Sequence, residues 1–199
     1  MAFRELIAQF IEAEAKPREK FGHQPRLYAL TKDVGNGFEY DDDVVYAAAW
    51  LHDLGVFTGH RPEDLEELKK WDNTRYAMEQ TPALLNRFGF PVEKTNAVVE
   101  VIRTHQPAFV PETIEGKILR DADILEQLGA VGVLRTVCKV GRDTRFEDFT
   151  SVVRALEKAL NELPGKLLLP TAKNMAEKRV WTLREFLKSA KEEAGVLLY

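Results

Sequence analysis

Apolar residues recur at intervals of three and four along almost the whole chain, and this spacing limits its fold more than any other feature. The first example is the set Phe3, Leu6, Ile7, Phe10 and Ile11, which share one face of a helix. Similar stripes continue into the C-terminal region, and no segment shows the alternation of apolar and polar residues that is typical of a strand. The sequence therefore predicts an all-α fold.

Glycines, prolines and acidic residues divide this pattern into separate helices. Prolines and acidic residues favour the first turn of a helix, whereas glycines favour the position after its last turn. Gly55, for example, is predicted to end the third helix. After the N-terminal segment, we predict helices over about 25–33, 44–54, 62–71, 72–88, 112–127, 130–139, 149–163 and 171–193. Another helix is predicted between residues 91 and 112, and it ends at about residue 105.

Length, composition and net charge predict the number of domains and exclude some kinds of partner. The 199 residues, 45% hydrophobic and 30% charged, are enough to bury a core and predict a single domain over 1–199. Residues 1–20 are expected to form an N-terminal helix, and residues 149–194 are expected to form C-terminal helices that pack on the rest. The formal net charge of −4 predicts that neither nucleic acid nor a membrane surface is a partner.

The cysteine content and the distribution of apolar residues predict where in the cell the protein is found. Cys138 is the single cysteine, which excludes an intramolecular disulfide and a cysteine-based zinc site. The N-terminus carries too many charges for a secretory signal, and no apolar stretch is long enough to span a membrane. We therefore predict a cytoplasmic protein.

The three tryptophans of the chain are predicted to be core residues. They are Trp50, Trp71 and Trp181.

The strongest chemical signal is an adjacent histidine and aspartate. His52 and Asp53 stand at the predicted end of a helix of small apolar residues. Val45, Ala48 and Ala49 lie one or two turns earlier on the same side, so His52 extends a buried face. In the alternative interpretation, His52 caps a carbonyl group and Asp53 meets solvent.

A second acidic segment, ILRDADILEQLG, places Asp123 beside an apolar stripe. An acid on such a face needs a partner, which a metal ion, a histidine, or a salt bridge to Arg120 or Arg135 would supply. Asp121 points about 160° away from Asp123 on the same helix. We therefore predict that Asp121 is an exposed or capping acid.

A further histidine, His23, precedes a proline at a predicted helix start. Together with His52, Asp53 and Asp123 it offers two imidazoles and two carboxylates. This mixed set suits one divalent ion such as Mn, Fe, Co, Ni or Zn, and suits Mg less well. Four protein ligands leave coordination positions open for water and substrate, which is typical of a catalytic site.

The order of these motifs resembles the HD-domain superfamily of metal-dependent phosphohydrolases, and in particular its small bacterial members. That family has a histidine, a His-Asp pair and a distal aspartate, all on helices. The matching segments are GHQPRL, VVYAAAWLHDLG and EGKILRDADILEQLGAVGVLR, and the resemblance covers about residues 20–194. It implies a compact multi-helix HD-domain bundle in which His23, His52, Asp53 and Asp123 bind the metal ion.

The resemblance implies one further site residue, and three others are candidates because of their positions in the sequence. VVEVIRTHQ is similar to the helix that brings another histidine to the pocket, so His105 is expected to act in catalysis together with Asp53. Arg26 and Arg120 each lie within a turn of a proposed ligand and are candidates for binding phosphate. His60, a loop histidine just beyond the pair, is a third candidate for contacting substrate.

One position departs from the family pattern. Some family nucleotidases carry an acid three residues after the His-Asp pair, where this chain has Val56. Glu63 or Asp64 would replace that acid only if the loop folds back.

The resulting prediction is a phosphohydrolase that cleaves a phosphate ester or anhydride of a small metabolite, with a nucleotide as the favoured substrate. One alternative is a non-catalytic nucleotide-binding regulatory HD module, and another is a structural helical bundle with chance motifs. A binuclear site with His60 and His105 as extra ligands is also open. For the assembly, we allow for a homodimer.

Overall fold

The computed structural model of the protein describes residues 2–141 and 146–195, and these residues form ten α-helices and no strand. The all-α prediction is therefore confirmed. Met1, residues 142–145 and residues 196–199, which the predicted domain includes, lie outside the described residues. In chain order the helices are α1 (Phe3–Glu14), α2 (His23–Val34), α3 (Asp42–Leu51), α4 (Leu65–Lys70), α5 (Asn73–Arg87), α6 (Thr95–Thr104), α7 (Ile114–Glu126), α8 (Gly129–Val137), α9 (Phe149–Glu162) and α10 (Pro170–Ala194).

Two helices end earlier than the sequence predicts. The helix expected over residues 1–20 ends at Glu14, because Pro17 disfavours the helical conformation at the residue before it. The helix expected over residues 44–54 ends at Leu51, and the chain then enters a short 3-10 turn, Leu54–Val56. At the start of α3, the carboxylate of Asp41 accepts hydrogen bonds from two backbone N–H groups of this helix, which agrees with the expected preference for acidic residues at helix starts.

The chain divides into two compact units, residues 1–120 and residues 121–199, and the boundary lies within α7. In the first unit α3 packs against α1, α2 and α6, while α5 packs against α6 and the 3-10 turn Leu54–Val56. Every residue from 44 to 51 is buried, as expected for a helix that is apolar all round. In the second unit α8, α9 and α10 pack against one another. The single domain over 1–199 stays a prediction.

A buried aspartate corrects one sequence prediction. Asp121 is fully buried, so the exposed alternative is wrong. Its carboxylate accepts hydrogen bonds from the backbone N–H groups of Leu168 (2.9 Å) and Leu169 (2.7 Å), directly before α10. Trp181 is also placed differently from its prediction, because 61% of it is exposed. The apolar face of α10 is formed by neighbours such as Leu183 and Leu187.

A network of ion pairs surrounds the N-terminus of α3. Asp42 pairs with Arg4 and Lys32, both at 2.9 Å, and Asp41 pairs with Lys94 at 2.8 Å. Burial pushes the pKa of Asp42 up, but hydrogen bonds from Lys32 and neighbouring groups outweigh burial and hold this pKa below 3.8. For Asp41, burial is likewise outweighed by the hydrogen bond from Lys94, so its pKa is also lowered.

These lowered pKa values predict how acid affects stability. A carboxylate whose pKa is lower in the folded chain stabilises the fold above its unfolded pKa of about 3.9, and this contribution is lost as pH falls through the folded pKa. We expect the free energy of unfolding, measured with urea, to decrease as the pH is lowered from about 4. This decrease should be less steep in Asp42→Asn than in the parent. Asp33→Asn, at an exposed aspartate of α2, is the control. Equal pH dependence in all three proteins would contradict this prediction.

No helix formed by the residues that the structure describes is both long enough and apolar enough to cross a membrane.

Candidate metal centre

Three of the four predicted metal ligands come together in the first unit. His23 is the first residue of α2, and His52 and Asp53 directly follow the last residue of α3. The two helices pack against each other, which brings the start of one to the end of the other. His23 and His52 are buried, whereas Asp53 is partly exposed. The site is therefore closed on the histidine side and accessible to solvent on the aspartate side.

The three ligand atoms form a nearly regular triangle. His23 Nε2 lies 3.4 Å from His52 Nε2, and Asp53 Oδ2 lies 3.7 Å from each of these nitrogens. A point equally distant from the three atoms lies about 2.1 Å from each, which is the usual distance from a divalent ion such as zinc to imidazole or carboxylate ligands. The residues present thus fit a metal ion.

The imidazole of His52 is oriented by the helix that carries it. Its Nδ1 lies 3.0 Å from the carbonyl oxygen of Ala49. A carbonyl oxygen only accepts, so Nδ1 carries the proton and Nε2 presents its lone pair to the ligand triangle. This arrangement is typical of metal-binding histidines, whose other nitrogen is fixed by a second hydrogen bond.

His105 lies directly beside this group. It follows the last residue of α6, which packs against α3, and its ring centre is 5.0 Å from that of His52. It is buried, and its Nδ1 donates to the carbonyl oxygen of Ile102 at 2.6 Å, so Nε2 is the ring nitrogen left for other contacts. The structure thus brings His105 to the candidate centre. Its catalytic role stays a prediction.

The turn that follows Asp53 has two partners that the sequence did not indicate. Lys20 Nζ donates to the carbonyl oxygen of Val56 at 2.7 Å, and Trp71 Nε1 donates to that of Gly55 at 2.8 Å. These bonds join residues 36 and 16 positions apart, so no local pattern could reveal them. Trp71, predicted to be a core residue, is only half-buried.

Gly55 does not end α3 as predicted, but packs inside this turn. A Cβ atom at Gly55 would lie 2.6 Å from the backbone carbonyl oxygen of Asn73, at the start of α5. Glycine is therefore needed at this position because two backbone segments approach closely.

His60 is held by protein groups on both sides of its ring. Nε2 lies 2.8 Å from a carboxylate oxygen of Glu14, and Nδ1 lies 2.9 Å from the hydroxyl of Tyr76. Its assignments as a substrate contact and as an extra ligand stay predictions. Asp64, considered as a replacement acid, caps α4 by accepting from two backbone N–H groups of its first turn.

The remaining candidates occupy different environments. Arg26 is exposed on α2, one turn after His23, whereas Arg120 is buried and donates to the carbonyl oxygen of Pro107 at 3.1 Å. Asp123, on the part of α7 that belongs to the second unit, accepts a hydrogen bond from Gln127 at 3.2 Å. Their roles as phosphate contacts and as the fourth ligand stay predictions.

Several known proteins share this fold. Two crystal structures of Bacillus subtilis YpgQ, one of them in complex with ADP, have TM-scores of 0.75 and 0.73 to this chain. Each is 22% identical and covers 98% of this chain, which in turn covers 97% and 99% of those chains. An HD-superfamily hydrolase from Bacillus thuringiensis has a TM-score of 0.69 at 23% identity, with 96% of this chain and 97% of that chain covered.

Sequence comparison agrees with the structural one. The curated protein described as uncharacterized protein YpgQ of Bacillus subtilis (strain 168) is 26% identical over 179 residues, which are 86% of this chain and 82% of that protein. The model of the HD domain family matches residues 21–128, a segment that begins before His23 and ends after Asp123. This match extends over more than half of the chain, and it shows that the chain belongs to the HD domain family.

Proposed function

We propose that this chain is a metal-dependent phosphohydrolase that cleaves a phosphate ester or anhydride of a small metabolite, with a nucleotide as the favoured substrate. The observation that carries the proposal is the triangle of ligand atoms from His23, His52 and Asp53, with the ring of His105 beside it. The HD-superfamily hydrolase of the same fold supports the reaction class, and the complex of YpgQ with ADP supports the substrate class.

The metal site would be held by side chains of known orientation. His23, His52 and Asp53 would bind the ion, and Asp123 is proposed as the fourth ligand. The mixed nitrogen and oxygen donors favour Mn, Fe, Co, Ni or Zn over Mg. When bound, such an ion lowers the pKa of its water and withdraws charge from a phosphoryl oxygen.

The chain's own groups would do the remaining work. We propose that Asp53, besides ligating, orients the attacking water. His105 would act through Nε2, because its Nδ1 is already bonded to Ile102. As the imidazolium, it would donate the Nε2 proton to the leaving oxygen or hold the phosphate with the Nε2–H group. Arg26 and Arg120 would neutralise charge that develops on the phosphate oxygens.

The test is a product screen on the purified full-length chain. Phosphate and pyrophosphate release are measured over a panel of nucleoside mono-, di- and triphosphates with Mn²⁺, Co²⁺, Ni²⁺, Zn²⁺ and Mg²⁺, and bound metal is counted per chain. Phosphate release from monophosphates would identify an esterase, whereas pyrophosphate release from triphosphates would identify an anhydride-cleaving enzyme.

Two other outcomes of this screen would contradict the proposal. Binding of metal and nucleotide without turnover would favour the regulatory module, and a chain that binds none of these metals would favour the structural bundle. Two metal ions per chain would favour the binuclear site and would change only the number of ions in the proposal.

A further inference from the structure

The backbone immediately after Asp53 is held by side chains from two distant parts of the first unit. Lys20, in a 3-10 helix before α2, donates to the carbonyl oxygen of Val56, and Trp71, just before α5, donates to that of Gly55. These carbonyl groups belong to consecutive residues of the 3-10 turn Leu54–Val56. The turn is therefore held on two sides, by a cation and by an indole N–H.

The same two regions hold the chain beyond the turn. The backbone N–H of Thr58 donates to the carbonyl oxygen of Lys16 at 3.0 Å. His60 then bridges Glu14 and Tyr76 through its two ring nitrogens. Residues 14–20 and 71–76 thus fix the segment 55–60 from both sides.

Asp53 lies between this fixed segment and the end of α3. On the helix side, the N–H of His52 donates to the carbonyl of Ala48 at 3.0 Å, and on the turn side the N–H of Val56 donates to the carbonyl of Asp53, also at 3.0 Å. Asp53 has φ −101° and ψ 14°, a sparsely populated conformation outside the helical region. The path of the turn therefore sets the direction of the Cα–Cβ bond of Asp53, from which its carboxylate extends.

We propose that Lys20 and Trp71 are positioning residues of the metal centre. By holding the carbonyl groups of Val56 and Gly55 they keep the Asp53 carboxylate at the distance from the two histidines that a metal ion requires. Ligand distances in metal sites vary by only about 0.2 Å, so a small shift of the turn weakens binding. The inference rests on the metal-binding part of the proposed function and does not require hydrolysis.

The indole N–H of Trp71 can be removed with little other change. Its ring lies 5.2 Å from that of Tyr76, a contact that phenylalanine would keep. Trp71→Phe therefore removes the hydrogen bond to Gly55 but retains most of the packing. Trp50→Phe is a matched control, because Trp50 is buried two residues before His52 and, within the described residues, its Nε1 has no hydrogen-bond partner.

The experiment measures the dissociation constant of Mn²⁺ by titration calorimetry on the metal-free full-length chain, and urea unfolding in the presence of chelator. We expect Trp71→Phe and Lys20→Met each to weaken Mn²⁺ binding by about 10-fold. This is the lower end of the effect of groups that bond a ligand directly, because Lys20 and Trp71 hold the turn after Asp53 and not its carboxylate. Trp50→Phe, which removes no hydrogen bond within the described residues, should leave the Mn²⁺ affinity close to that of the parent. Lys20→Arg, which keeps a donor, should restore much of the affinity.

Three results would overturn the inference. One is an unchanged Mn²⁺ affinity in Trp71→Phe and Lys20→Met with a loss of stability in chelator, which is what a purely structural role produces. Another is equal loss of affinity in Trp71→Phe and Trp50→Phe. The third is a parent chain that does not bind Mn²⁺. If the parent binds Mn²⁺ but hydrolyses no nucleotide, the proposed function fails while the positioning inference is still decided by the variants.

Discussion

Replacing Asp53 with alanine should abolish metal binding and phosphohydrolase activity while leaving a folded helical protein. The substitution removes one of the three ligand atoms of the triangle and its negative charge, so the two imidazoles and the proposed fourth ligand, Asp123, would bind a divalent ion far more weakly. In the metal-free chain the fold should persist, because Asp53 is partly exposed and lies after the end of α3. Metal content, product release and thermal unfolding in chelator measure the three effects.

Asp53→Asn provides the matched comparison, because it keeps the shape and one oxygen donor but loses the charge. We expect it to retain weak, measurable metal binding. If Asp53→Ala in chelator is much less stable than the parent in chelator, the carboxylate has a structural role and its assignment as a ligand is in error.

The second large effect is expected at His105. His105→Ala should lower kcat by roughly 10²–10⁴-fold with unchanged metal content, which is the usual contribution of a group that transfers a proton. The physical reason is its position: the ring lies 5.0 Å from that of His52, with Nδ1 bonded to Ile102 and Nε2 left to take up and release the proton. Steady-state kinetics and metal analysis on the same preparations test this.

His105→Asn separates packing from proton transfer. The asparagine amide can replace Nδ1–H as the donor to the carbonyl of Ile102, but it has no group that transfers protons near neutral pH. We expect it to be as inactive as His105→Ala. Loss of metal together with activity would instead make His105 a ligand and support the binuclear site, and unchanged kinetics would remove it from the mechanism.

The sequence predicts the helices and half of the site because both depend on local spacing. The periodic apolar residues decide which segments are helical, and the position of His52 and Asp53 at a predicted helix end allows both side chains to reach one point. His23 is placed by its resemblance to the family motif, and the structure brings it within 3.4 Å of His52. Asp123 stays a predicted ligand.

Contacts with backbone groups that are far away in the sequence could not be predicted. Asp121 is predicted to be an exposed or capping acid because it points about 160° away from Asp123 on the helix, whereas its partners are the N–H groups of Leu168 and Leu169. The roles of Lys20 and Trp71 could not be recognised, because no sequence pattern distinguishes a lysine or tryptophan that donates to a distant carbonyl group from one that does not. Such contacts arise only when the helices have packed.

The close approach of Gly55 to Asn73 has a consequence for laboratory evolution of this protein. A library that randomises the residues around His52 and Asp53, to select for another metal or another substrate, will contain position 55. Any side chain there meets backbone atoms of Asn73, at 2.6 Å and 2.7 Å from the first carbon, and α5 must move to admit it. Selected variants should therefore retain glycine at this position whichever activity is chosen, and holding it constant makes the library smaller without excluding functional solutions.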